Sequence, residues 1–83
     1  MTFHADLWSG VAQRQLAALP TAVRDQVEAC VREICRDPSA AGEALLGERT
    51  RQMYGAQAGS VVIIYQIDEL GGMVHILRVV DRG

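Results

Sequence analysis

The sequence predicts an α+β fold: an N-terminal strand, a two-helix hairpin, then an antiparallel β-sheet of three further strands, in the order β-α-α-β-β-β. Three observations carry this. The stretch Ser60–Arg82, SVVIIYQIDELGGMVHILRVVDR, holds two β-branched runs, Val61–Ile67 and Met73–Val80. Each is too short for an ordinary helix, and Gly71-Gly72 lies between them, where a hairpin reversal needs positive φ. Upstream, Val23, Val27, Cys30, Val31 and Ile34 follow i, i+4, i+7, i+8, i+11, which is one apolar stripe on a helix. Finally, 83 residues with 49% hydrophobic and 22% charged content suit one modest core, so residues 1–83 are expected to form a single domain.

Taken in order, Thr2–Trp8 alternates Phe3, Ala5 and Leu7 against His4, Asp6 and Trp8, a period of two that reads as a short strand. Ser9 is placed to cap a helix over Gly10–Ala18, which Pro20 stops. Thr21 is in position to cap a second helix, whose end at Arg36 follows from Asp37-Pro38, because the residue before a proline is steered out of the α region. Ser39–Gly47 reads as a loop with room for a helical turn, anchored by Leu45-Leu46. Within Glu48–Ala58 a strand is expected to pair with Val61–Ile67 across Ala58-Gly59-Ser60, weakened by Gly55.

Strict alternation then assigns faces. Val61, Ile63, Tyr65 and Ile67 share one side of their strand, with Val62, Ile64 and Gln66 on the other. In the last strand, Met73, His75, Leu77 and Val79 oppose Val74, Ile76, Arg78 and Val80. If the helices cover one face, Val62, Ile64, Ile76 and Val80 form an apolar patch on the other, and such a patch is expected to be covered by a partner or a second copy of the chain.

Composition excludes several classes. No apolar run approaches the roughly 18 residues of a membrane span, and MTFHADLWSG lacks the basic and apolar blocks of a signal peptide, so a cytoplasmic protein without membrane association is expected. A net charge of −2 argues against nonspecific nucleic-acid binding. All eight basic residues are arginine, so no lysine ammonium can carry a proton-transfer step. Cys30 and Cys35 lie about 140° apart around a helix, which excludes a mutual disulfide. The spacing of Cys30, Cys35, His4 and His75 shows no metal-ligand pattern, and neither a metal nor another cofactor is expected.

The element order, the Leu19-Pro20 junction, the Asp37-Pro38 helix end, Leu46-Gly47, and then GSVVIIYQID followed by HILRVVDR resemble the RelE/ParE superfamily of bacterial toxins. The resemblance covers nearly the whole chain. It implies the toxin component of a type II toxin–antitoxin module, neutralised by a cognate antitoxin protein. In the RelE-like branch the toxin enters the ribosome and cleaves mRNA, with basic residues stabilising the phosphorane. In the ParE-like branch the target is DNA gyrase.

Residue by residue, the resemblance favours a ParE-like or other protein target. The arginine of the family pattern G-x-Y-R-V-x-Y falls on Val62, which cannot donate to a phosphate. The basic positions of the preceding strand fall near Gln52 and Tyr54, with Arg49 and Arg51 close by as substitutes. In the final motif, similar to L-R-V-G-H-R, Arg82 matches, while Val80 replaces glycine and Asp81 stands at a basic position, where it would compete with phosphate for Arg82. With Gly83 last, no tail is expected to add the further acid/base groups of complete nucleases.

The catalytic candidates of the alternative, a ribosome-dependent mRNA endoribonuclease, are therefore Arg82, Arg78, Arg51, Arg49 and Tyr54. The candidates for an antitoxin or homodimer interface are Val62, Ile64, Ile76, Arg78 and Val80. A third reading is a non-toxic homologue retained as an interaction module. Arg78 is expected to pair with Asp68, Glu69 or a partner's carboxylate in preference to phosphate, and His75 to be a hydrogen-bonded core or edge residue in preference to a general base.

Overall fold

A computed structural model describes residues 5–45, 52–68 and 71–83. In chain order the elements are β1 (Ala5–Trp8), α1 (Gly10–Ala17), α2 (Thr21–Arg36), α3 (Pro38–Ala41), β2 (Glu43–Ala44), β3 (Met53–Ala58), β4 (Val61–Asp68) and β5 (Met73–Asp81). The strands form one sheet in the order β1-β5-β4-β3-β2. Adjacent pairs from β5 to β2 are antiparallel, whereas β1 lies parallel to β5 at the edge. The α+β class and the run of strand, helical hairpin and three-stranded meander agree with the sequence reading, and the sheet is mixed with two added features, β2 and the parallel β1.

Local chemistry explains the boundaries. The Ser9 hydroxyl accepts the Ala12 N–H at 3.0 Å and so caps α1, as its position predicts. Thr21 is not a cap: Pro20 occupies the cap position with φ −57° and ψ 152°, its carbonyl accepts the Arg24 N–H at 2.9 Å, and no side chain caps α2. Proline's fixed φ suits this role and makes Thr21 the first helical residue. Asp37 ends α2 in an extended conformation before Pro38, which opens the short α3. Gly59 (φ +61°) and Gly72 (φ +64°) provide the positive φ of the two hairpin turns, and the Asp68 carboxylate accepts the Gly71 N–H at 3.0 Å beside the second.

The helices pack on one face of the sheet. Val27, Val31 and Ile34 of α2 are buried against Ala56, Ala58, Val61, Ile63, Tyr65, Val74, Ile76 and Val79, with Val23 and Cys30 at the margin of the same stripe. Fully burying one of the branched side chains contributes about 1.5–3 kcal/mol. Small residues at Ala56 and Ala58 let α2 come close to β3, and the Cys30 sulfur lies 4.0 Å from the Gln57 carbonyl. Cys30 is not joined to Cys35 by a disulfide. Leu45 departs from the expected anchoring: it is 38% exposed and covers Gly55, where an added Cβ would meet its side chain at 3.4 Å. Leu46 lies outside the described residues, as do Phe3 and His4 of the expected first strand.

The largest correction is in β5. Tyr65 pairs with Ile76 and Ile64 with Arg78, so Leu77 has no opposite residue and forms a β-bulge. Side-chain parity reverses there. Val74 and Ile76 face the helices before it and Val79 after it, which reconciles core residues spaced by three with a strand period of two. Ile76, expected on the open patch, is fully buried, and His75, expected on the parity of the core residue Val79, stands opposite Gln66 on the outer face.

Helix α1 holds the bulge in place. The Ser9 N–H donates to the Ile76 carbonyl at 2.9 Å, and the Ser9 hydroxyl donates to the Leu77 carbonyl at 2.8 Å. The Gln15 side-chain oxygen accepts the Val79 N–H at 2.8 Å. Three polar groups on the edge of β5, past the end of β1, are thereby satisfied by α1 instead of by a strand.

Candidate functional site

The outer face of the sheet is built from cross-strand rows. Leu7, His75, Gln66 and Met53 form one row, Arg78, Ile64, Gly55 and Glu43 the next, and Val80, Val62 and Gln57 a third. No helix among the described residues lies over these rows. Leu7 is 52% and Val80 37% exposed, while Val62 and Ile64 are half-buried by their strand neighbours. The bulge is what places Arg78 and Val80 in register with Ile64 and Val62. Four of the five interface candidates, Val62, Ile64, Arg78 and Val80, therefore share this face, and Ile76 does not.

Arg78 is exposed and forms no ion pair or side-chain hydrogen bond among the described residues. The pairing with Asp68 expected from sequence is absent: Asp68 stands opposite Met73, five residues before Arg78 on β5, and accepts the Gly71 N–H, while Glu69 lies outside the described residues. Asp81 does not compete for Arg82 either: its carboxylate accepts the Ser60 hydroxyl at 3.1 Å and the Gly83 N–H at 3.1 Å. Arg82 is exposed just beyond the end of β5, with its backbone N–H on the Ser60 carbonyl at 2.9 Å.

The described catalytic candidates, Tyr54, Arg78 and Arg82, do not converge. Tyr54 sits on the helix-facing side of β3, its ring stacked on Tyr65 at 5.5 Å and 16° between planes, so its own face is already occupied. Arg78 is on the opposite side of the sheet, and Arg82 is four residues further along, about 13 Å at the strand rise. Arg49 and Arg51 lie outside the described residues. No single phosphate can be touched by Tyr54 and Arg78 together.

Burial perturbs two groups, and neither is placed for catalysis. Tyr65 is fully buried and its hydroxyl donates to the Pro38 carbonyl at 2.6 Å; burial, then the neighbouring Tyr54, pushes its pKa up to about 12. Burial, then the negative charge of Glu33, also raises the Cys30 thiol, so this cysteine is a poor nucleophile near neutral pH. Among the described residues no three of His, Cys, Asp and Glu gather as metal ligands, and no helix is long and apolar enough to cross a membrane. Sequence reasoning placed Gln66 beside Val62 and Ile64 but missed Leu7 and His75 as members of the outer face. No local signal marks the reversal, because Ile76, Leu77, Val79 and Val80 are all apolar and either parity can be read into them.

The architecture belongs to a known class. By fold this chain is a member of the RelE superfamily, whose solved structures match it across the sheet and the helical hairpin alike. The RelBE2 toxin–antitoxin complex from Mycobacterium tuberculosis is similar, at 26% identity over 98% of this chain and 92% of that chain, with a TM-score of 0.84. The archaeal RelE–RelB complex from Pyrococcus horikoshii matches at 21% identity over 100% and 98%, TM-score 0.82. The isolated Escherichia coli RelE toxin matches at 18% over 100% and 86%, TM-score 0.76. At 21% and 18% identity the last two establish the fold alone. No protein-family model matches the sequence, and no curated protein does.

Proposed function

We propose that residues 1–83 form one domain acting as the toxin of a bacterial type II toxin–antitoxin module in the cytoplasm, held neutral by a cognate antitoxin on the outer face of its sheet. The observation that carries this is the apolar pair Val62 and Val80 beside Ile64, on a sheet face that no helix among the described residues covers, where an apolar patch calls for a partner. Similar chains have been solved as toxin–antitoxin complexes, which supports the same kind of partner here.

For the toxic act, a protein target such as DNA gyrase is favoured over mRNA cleavage. By the family resemblance Val62 falls where the nucleases carry arginine, and Tyr54 and Arg78 lie on opposite faces of the sheet. General acid–base catalysis needs groups within hydrogen-bond reach of one reacting phosphate. One observation supports the endoribonuclease reading: Asp81 is turned to Ser60 and Gly83, and Arg82 at the motif's end has no ion pair among the described residues.

The deciding experiment expresses the chain alone and together with the product of the adjacent reading frame. Growth arrest relieved by co-expression is expected, with DNA damage and without codon-specific mRNA cuts on translating ribosomes. Cuts that vanish in Arg82→Ala would move the function to the endoribonuclease. Absence of both arrest and binding would leave only a non-toxic interaction module.

A further inference from the structure

Arg78 is the one arginine among the described residues of these outer rows, at the β5 end of its row, directly across from Ile64 and two residues from Val80. Among the described residues its guanidinium has no ion-pair or hydrogen-bond partner. Asp68 holds the Gly71 N–H, Asp81 holds Ser60 and Gly83, and Glu43 stands in the same row but three strands away, about 14 Å at the inter-strand spacing. A wholly apolar partner laid over Val62, Ile64 and Val80 would strip water from an unpaired guanidinium, which is strongly unfavourable. A partner that covers the patch must therefore bring its own negative charge to Arg78.

We infer that the segment covering this face is an amphipathic peptide that sets an Asp or Glu side chain on Arg78 between apolar side chains on Val62, Ile64 and Val80. The charge makes the contact specific as well as adhesive: a planar guanidinium takes a carboxylate in a two-point hydrogen bond, which fixes the register of the segment along β5. The bulge at Leu77 is a precondition, because without it Arg78 would point into the helices. This inference rests on the antitoxin reading, and it adds the chemistry by which the partner is recognised.

The test uses overlapping synthetic peptides from the product of the adjacent reading frame, titrated against the full chain. The binding peptide is expected to contain an acidic residue flanked by apolar ones. Arg78→Glu should weaken it about tenfold or more, and changing that acidic residue to Lys in the peptide should restore affinity for Arg78→Glu alone. Because Arg78 is exposed, far-UV circular dichroism of the variant should match the parent. Equal affinity of Arg78→Glu for the unaltered peptide would overturn the inference while leaving the antitoxin reading standing. No binding by any peptide or by the whole partner protein would remove both. Loss of RNA binding in Arg78→Glu with peptide binding intact would assign Arg78 to phosphate and overturn it too.

Discussion

Tyr65 joins three parts of the molecule. Its ring packs in the core, its hydroxyl bonds the Pro38 carbonyl at the start of α3, and a Cβ added at Gly42 would collide with that hydroxyl. Tyr65→Phe leaves a carbonyl in a buried setting without its donor and should cost about 1–3 kcal/mol in urea unfolding, with partner binding unchanged. Gly42→Ala should destabilise for the steric reason. The phenol also sets a pH dependence. Its folded pKa, about 12, exceeds the ordinary 10.0, so the folded state holds the proton more tightly. That stability is complete below about pH 10 and lost as pH rises through about 12. Tyr65→Phe should abolish this alkaline component in unfolding curves measured across the window.

The strand and helix that meet at the bulge decide which residues face out. Ile76→Ala removes a fully buried side chain and should cost about 2–5 kcal/mol, whereas Ile64→Ala on the outer face should cost far less and instead weaken partner binding. Ile64 keeps the face that alternation in β4 gives it, whereas Ile76 and Val79 share the buried face only through the bulge, so comparing denaturant midpoints of the pair tests the reversal. Ser9→Ala should lose about 1 kcal/mol from the helix cap, plus the bond to the Leu77 carbonyl. The elements themselves were largely legible: both helices, the Asp37-Pro38 stop, the Gly59 and Gly71-Gly72 turns and the three-strand meander follow from period, caps and turn residues. What failed was the assumption of strict alternation through Met73–Val80. A bulge leaves no local mark in a run of apolar residues, since His75, Leu77 and Arg78 are compatible with either face until the core beneath them is assembled.

For the whole molecule, one side of the sheet carries the core and the other carries the exposed apolar rows with Arg78. A charge placed among those rows should separate folding from recognition. Val80→Glu is expected to keep the circular dichroism spectrum and thermal midpoint of the parent, yet lose capture by the adjacent gene's product in co-purification. The same variant should be monomeric in analytical ultracentrifugation if the parent dimerises through this face. At this scale the catalytic candidates divide: Tyr54 is on the helix side, Arg78 on the outer side, and Arg82 past the strand end.

The sequence by itself determined the fold class, both helices of the hairpin and the β4–β5 hairpin, because these depend on spacings of three or four residues in a helix and two in a strand and on glycine, proline and serine at fixed places. It also carried the family resemblance, through the order of those same elements. Only the tertiary structure decided that β1 runs parallel at the edge of β5, that α1 holds Leu77 in a bulge, and that Ile76 turns inward while Arg78 and His75 turn outward. The reason is physical. Which face a strand residue occupies is a choice between two alternatives that local propensity leaves equal, and it is settled by long-range contacts: Ser9 and Gln15 against the edge of β5, and the close packing of Val74, Ile76 and Val79 beneath the helices.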